Sequence, residues 1–181
     1  MDSFLTISSP SEGIYKDKGS RFLAFAFSVD TVDEAMAHIT QLRKQYHDAR
    51  HVCWAYRIDE QQWRVNDDGE PSGTAGRPIF SQIQSKNLYH ILIIVVRYFG
   101  GILLGTGGLT VAYREATKQA LDSANILTRD VMVRKTISFP FEKMNEVMRT
   151  LKQAEAQIVS QQFDNQCVIV FDIKQQYADR I

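Results

Sequence analysis

The stretch Asp67-Asp68-Gly69-Glu70-Pro71-Ser72-Gly73-Thr74-Ala75-Gly76-Arg77-Pro78 gathers acids, hydroxyls, glycines and a cation into one short run. Two kinds of chemistry suit it. Asp67, Asp68 and Glu70 offer the oxygen ligands that a hard divalent cation takes. The alternating ligands and closing glutamate of an EF-hand loop are absent, however, which makes a metal the weaker reading. Ser72, Thr74 and the glycine amides would instead form an anion nest with Arg77 as countercharge. An ordered surface loop whose Asp and Ser side chains cap its own backbone accounts for the same residues.

A second glycine-rich stretch runs Arg97-Tyr98-Phe99-Gly100-Gly101 and then Gly105-Thr106-Gly107-Gly108. A turn of this kind, between an apolar strand and a helix start, leaves N–H groups and a positive dipole end where a phosphate can sit. The Lys-Ser/Thr pair of a P-loop is missing, and the spacing is not that of the dinucleotide fingerprint. Glycines here also serve positive φ and close packing of helix on sheet. Arg97 lies in an apolar run, where a charge needs a partner. The carboxylates of the first stretch are the candidates, so the two stretches are expected to face each other across one cleft.

Other chemistry is thinner. His51 and Cys53, at i and i+2 of one strand, lie about 7 Å apart, too far for direct activation of a thiol. No nucleophile elbow is present, and His38, His47 and His90 read as structural or solvated. Cys53 and Cys167 fall in apolar runs with no metal or redox spacing. They read as free thiols in a reducing, cytoplasmic setting. Lys16, Lys18, Arg21, Arg57, Arg64, Arg77, Arg97 and Arg114 are interleaved with Tyr15, Phe22, Trp54, Trp63, Tyr98 and Tyr113. Cations that reach phosphates and rings that stack on bases suit RNA, although Phe22 and Trp54 read as core.

The elements that would hold these residues follow from composition and periodicity. The chain has 181 residues, 44% apolar and 23% charged, which excludes a disordered chain. Its 21 basic and 21 acidic residues cancel, so nucleic-acid binding must rest on a local patch. No signal peptide is evident, and the apolar run Ile91–Val96 is far short of the roughly 20 residues that cross a bilayer. Strands are predicted at Phe22–Val29, at Val52–Ile58 (half-buried) and at Leu88–Phe99, the last covered on both faces. A helix is predicted over Thr31–Tyr46, capped by Asp30 or Thr31, and another over Leu109–Ala124 with Val111, Ala112, Ala116, Ala120 and Leu121 facing in. Asn66–Pro78 and Gly100–Gly108 are predicted loops, and Asn125–Asp130 a linker. Beyond it lie a strand at Val131–Phe139 and a helix at Phe141–Ala154 with Met144, Val147, Met148 and Leu151 inward. A hairpin of Ala156–Gln162 and Cys167–Lys174 follows. This β-α-β-β order is the first part of a ferredoxin-like unit without its closing helix and strand. Such a fragment is expected to be mobile or to pair with a second copy.

NDDGEPSGTAGRPI (Asn66–Ile79) followed by VVRYFGGILLGTGGLTVAYREA (Val95–Ala116) resembles the IMPACT/YigZ family, and HVCWAYRI (His51–Ile58) and KGSRFLA (Lys18–Ala24) fit its upstream signatures. The resemblance implies an α+β protein. Residues 1–128 would form a domain like ribosomal protein S5 domain 2, and residues 129–181 a partial, ferredoxin-like domain similar to one of elongation factor G. Bacterial members have no firmly assigned reaction, and the eukaryotic relative regulates translation. The implied function is a binding or regulatory protein of the translation machinery, acting through RNA, the ribosome or translation factors, in the cytoplasm. The rival is an enzyme acting on a phosphorylated small molecule in the cleft between the glycine-rich stretches. Candidate ligand or RNA contacts are Lys18, Arg21, Asp67, Asp68, Glu70, Ser72, Thr74, Arg77, Arg97, Tyr98, Gly100, Gly101, Gly107, Gly108 and Arg114. No catalytic residue is assigned, and no metal, cofactor or membrane is expected. A homodimer through the incomplete second domain is the remaining partner.

Overall fold

The computed structural model describes all 181 residues, Met1–Ile181. In chain order the elements are β1 (Ser3–Ile7), β2 (Ser11–Asp17), β3 (Ser20–Ser28), α1 (Val32–Gln45), β4 (His51–Arg57), β5 (Trp63–Asn66), α2 (Gly76–Ser85), β6 (Ile91–Tyr98), α3 (Gly105–Asp122), β7 (Ile126–Asp130), β8 (Met132–Phe139), α4 (Met144–Gln153), β9 (Gln157–Phe163) and β10 (Cys167–Lys174). They divide into two compact units, Leu5–Leu127 and the combination of Met1–Phe4 with Thr128–Ile181. Helices beside antiparallel sheets make the protein α+β. No helix is long and apolar enough to cross a membrane.

The larger unit is built around β6, the centre of an antiparallel sheet ordered β2-β3-β6-β4-β5. Alternation divides its side chains. Ile91, Ile93 and Val95 join a core with α2 and α3, while Leu92, Ile94 and Val96 join a second core with α1. β4 does the same, and this corrects the half-buried reading. Cys53 and Ala55 are as buried as Val52 and Trp54, because helices cover both faces.

Local signals explain the helices. Thr31 Oγ1 accepts the Glu34 N–H at 3.1 Å while the Glu34 carboxylate accepts the Asp30 N–H at 2.8 Å, a reciprocal cap that starts α1. α3 starts four residues before its predicted first residue, so Gly105–Gly108 are its first turn rather than the end of a loop. Leu109, Ala112, Tyr113, Ala116, Thr117, Ala120 and Leu121 form its buried face. Val111, predicted inward, is 37% exposed. α2 had no sequence prediction at all. It opens Gly76-Arg77-Pro78, and proline is tolerated there because first-turn N–H groups need no partner within the helix. Gly76 is required: a Cβ would lie 2.9 Å from the Asn66 nitrogen on β5. The predicted linker after Asn125 is instead β7, which pairs with β1.

In the smaller unit β8, β10 and β9 form an antiparallel sheet in that order. Phe139, Cys167, Ile169, Phe171 and Ile173 face Leu151 of α4. Met148 lies outside this core, 37% exposed, so the inward face of α4 is narrower than predicted, and Phe141, the predicted first residue of the helix, stands in a short 3-10 turn before it. A short 3-10 turn at Gln175–Arg180 places Ala178 and Tyr177 on the same core, supplying cover that the sequence seemed to lack. β9 remains an exposed edge along its full length.

Candidate functional site

His51 and Arg97 are register partners on β4 and β6, which puts an imidazole and a guanidinium side by side at one end of the sheet. The loop between β5 and α2 delivers Glu70 to both. Arg97 Nη1 donates to Glu70 Oε1 at 2.7 Å and to Oε2 at 2.9 Å, and His51 Nε2 lies 2.8 Å from Oε1. The other ring nitrogen, Nδ1, meets the Asp68 carbonyl at 2.6 Å. The Arg97 and Glu70 side chains are only 6% and 2% exposed, so this is a buried ion pair that ties the first glycine-rich stretch to the strand leading into the second. Arg97 also rests near the Phe22 and Phe99 rings, 5.5 and 5.6 Å from their centroids.

The remaining acids of the loop are engaged from within. The Asp67 carboxylate accepts the N–H groups of Gly73, Ala75 and Gly76 at 3.0, 3.2 and 2.8 Å. The amide nest predicted for a foreign anion exists, but the chain's own carboxylate fills it. Asp68 accepts from the Val52 N–H at 2.7 Å and from Arg43 at 3.3 Å. Thr74 donates to the Pro71 carbonyl, and Ser72 is exposed. Arg77 is not the nest's countercharge. It is exposed on α2 and lines a cavity with Phe80 and with Arg57 and Trp63, two of the cations and rings read as suited to RNA, while no other residue of the glycine-rich stretches enters it.

Beneath the loop, Cys53 Sγ contacts the Asp67 carbonyl at 3.1 Å and the Tyr113 hydroxyl at 3.3 Å. Burial pushes the thiol and the phenol well above their ordinary pKa values. Both stay neutral, and a buried neutral thiol is inert. Tyr113, counted among possible base-stacking rings, is fully buried.

A cationic, partly aromatic face lies at the same end of the sheet. Arg21 and Tyr98 are register partners, and the guanidinium sits 4.9 Å from the ring centroid. Arg50, which the sequence did not single out, lies over Phe99 at 5.0 Å. Lys18 occupies the β2–β3 turn at φ +48°, followed by Gly19. Gly100 closes on that turn: its N–H donates to Ser20 Oγ at 3.1 Å, and a Cβ on it would lie 2.0 Å from the Gly19 carbonyl carbon. Lys18, Arg21, Tyr98 and Gly100 are thus brought together, whereas Arg97, one residue before Tyr98 on β6, is buried against Glu70. Gly101 follows at φ +89°, while Gly107 and Gly108 lie in the first turn of α3. Arg114, further along α3, approaches only Glu115 at 3.8 Å.

The Impact N-terminal domain model matches residues 18–121, a span holding every candidate residue above. The chain belongs to the IMPACT family. IMPACT family member YigZ of Escherichia coli (strain K12) is 34% identical over 167 residues, covering 90% of this chain and 82% of that one. IMPACT family member YvyE of Bacillus subtilis (strain 168) is 33% identical over 157 residues, covering 86% and 72%. The crystal structure of a hypothetical protein superposes with a TM-score of 0.82 at 31% identity, over 99% of this chain and 89% of the other. The glycine-rich stretches of this IMPACT chain therefore belong to the family domain, and its smaller unit lies outside the matched span.

Proposed function

We propose that this IMPACT-family chain is a cytoplasmic binding or regulatory protein of the translation machinery that contacts RNA through the face carrying Lys16, Lys18, Arg21 and Arg50. Family membership supports the translation role. One observation carries the RNA contact: Lys16 and Arg21 stand directly opposite each other on β2 and β3. Like charges in that position destabilise a sheet. Neither has an ion-pair partner, and Lys18 and Arg50 beside them have none either. These four unpaired cations lie beside the half-buried Tyr98 ring, whose hydroxyl donates to Asp48, the nearby acid, at 2.8 Å. A phosphate backbone supplies the missing counter-charge. The likeness to ribosomal protein S5 domain 2 and to a ferredoxin-like unit belongs to the same reading, with β8-α4-β9-β10 supplying the partial second unit.

The test is binding to ribosomes and to single-stranded RNA across a salt series. Lys18→Gln and Arg21→Gln are each expected to weaken binding for all sequences alike and to lower the salt slope by about one unit. Unchanged affinity and slope in both variants would refute the reading. The rival enzyme has less support, because Glu70, Asp67 and Asp68 are engaged internally and Cys53 and Tyr113 are held neutral.

Self-association is part of the proposal for the smaller unit. Ile158, Val159 and Phe163 are 41–49% exposed on the β9 edge, the kind of edge that pairs with another chain. Sedimentation is expected to show a concentration-dependent dimer that Val159→Lys abolishes. A parent protein that stays monomeric throughout the micromolar range would rule it out.

A further inference from the structure

Arg77 was expected at the glycine-rich cleft, but it stands at a different cavity of about 450 Å³, within the ~300–1,000 Å³ range of small-ligand sites. One wall is aromatic. Trp63 of β5 and Phe80 of α2 stack with centroids 4.9 Å apart and planes 27° from parallel. Trp63 is nonetheless 51% exposed, whereas the other indole, Trp54, is 2% exposed in the core. Phe80 therefore orders the ring while much of its surface stays open. Beside Trp63, as its register partner on β4, stands Arg57, whose charge is already answered. It donates to Glu60 at 3.1 Å and to Tyr89, and lies 3.9 Å over the Tyr89 ring. Arg77 has no ion pair. Gln84 and Ser81 add an amide and a hydroxyl to the rim.

One open aromatic surface beside one uncompensated cation selects a ligand with a planar π-face and an attached anion. An acidic side chain would use Arg77 and leave the indole idle, and an apolar ligand would do the reverse. We propose that this cavity binds a nucleoside monophosphate unit, its base stacked on Trp63 and its phosphate paired with Arg77, either as a free nucleotide or as one residue of a single RNA strand. The site is separate from the Lys18–Arg21 face and does not depend on it.

The experiment uses the full chain and adenosine 5′-monophosphate, read by calorimetry and by indole fluorescence. Trp54 is buried, so quenching reports Trp63, and the Trp54→Phe variant isolates that signal. Saturable quenching is expected. Ribose 5-phosphate, which has no base, and the Trp63→Ala variant should each bind at least about tenfold more weakly. Arg77→Gln is expected to weaken adenosine monophosphate by about tenfold while leaving adenosine unchanged. Oligoadenylate that competes and binds more tightly identifies a strand as the source, and oligoadenylate that is excluded identifies the free nucleotide. Absence of saturable binding by both ligands overturns the proposal, as does equal binding of ribose 5-phosphate or no effect of Arg77→Gln. Lys18→Gln with Arg21→Gln should leave mononucleotide binding intact, so the failure of either proposal is visible without the other.

Discussion

Glu70→Gln is expected to remove about 3–5 kcal/mol of stability, measured by denaturant unfolding, because it strands a buried guanidinium. Arg97 is 5% exposed, its Nε already lacks a hydrogen-bond partner, and both Nη1 bonds go to the Glu70 carboxylate. A glutamine keeps the shape but loses the charge, and it presents a donor where Arg97 also donates. His51 loses its carboxylate in the same step. Replacing the pair together, Glu70→Leu with Arg97→Met, should recover much of the loss, since an apolar pair leaves no charge unanswered. A single variant within about 1 kcal/mol of the parent would show that water enters and solvates Arg97.

Gly100→Ala is expected to cost about 1–3 kcal/mol or more, although it adds only one methyl group. The new carbon would lie 2.0 Å from the Gly19 carbonyl carbon and 2.3 Å from the Ser20 nitrogen. These are backbone atoms with no rotamer to yield, so the β2–β3 turn has to leave the end of β6. Lys18 and Arg21 ride on that turn, so RNA affinity should fall with no charge removed. Gly107→Ala makes the same chemical change where no atom lies within 4 Å, in the first turn of a helix. It is expected to be neutral or to stabilise by up to about 1 kcal/mol. Equal stability of the two variants would show that the Gly19–Gly100 approach is not enforced.

The sequence made some of this legible and hid the rest for identifiable reasons. β6 was readable because burial on both faces leaves an unbroken apolar run, and α1 because its cap and period agree. β2 was missed. Its alternation of half-buried and exposed residues runs through Ser11-Glu12-Gly13-Ile14, too polar to stand out. α2 was hidden by Gly76 and Pro78, whose reasons are a close approach and a first-turn position rather than a loop. Arg97's need for a carboxylate followed from burial alone. Which carboxylate answers it did not, because that depends on Asp67 turning toward the amides of Gly73, Ala75 and Gly76 and leaving Glu70 to reach inward. The cationic face was half visible: Lys16 and Arg21 could be counted, but only strand register sets them opposite each other.

The Asp67 carboxylate also bears on what it costs a partner to settle on this loop. With amides at both ends of the Gly73–Gly76 turn fastened to one side chain, Asp67–Gly76 is ordered before anything touches it. A flexible segment of the same length would lose about 1–2 kcal/mol of backbone entropy for each residue fixed on binding. Here that entropy is spent during folding, so contacts made by the exposed Pro71 and Ser72 go to affinity with little lost to ordering.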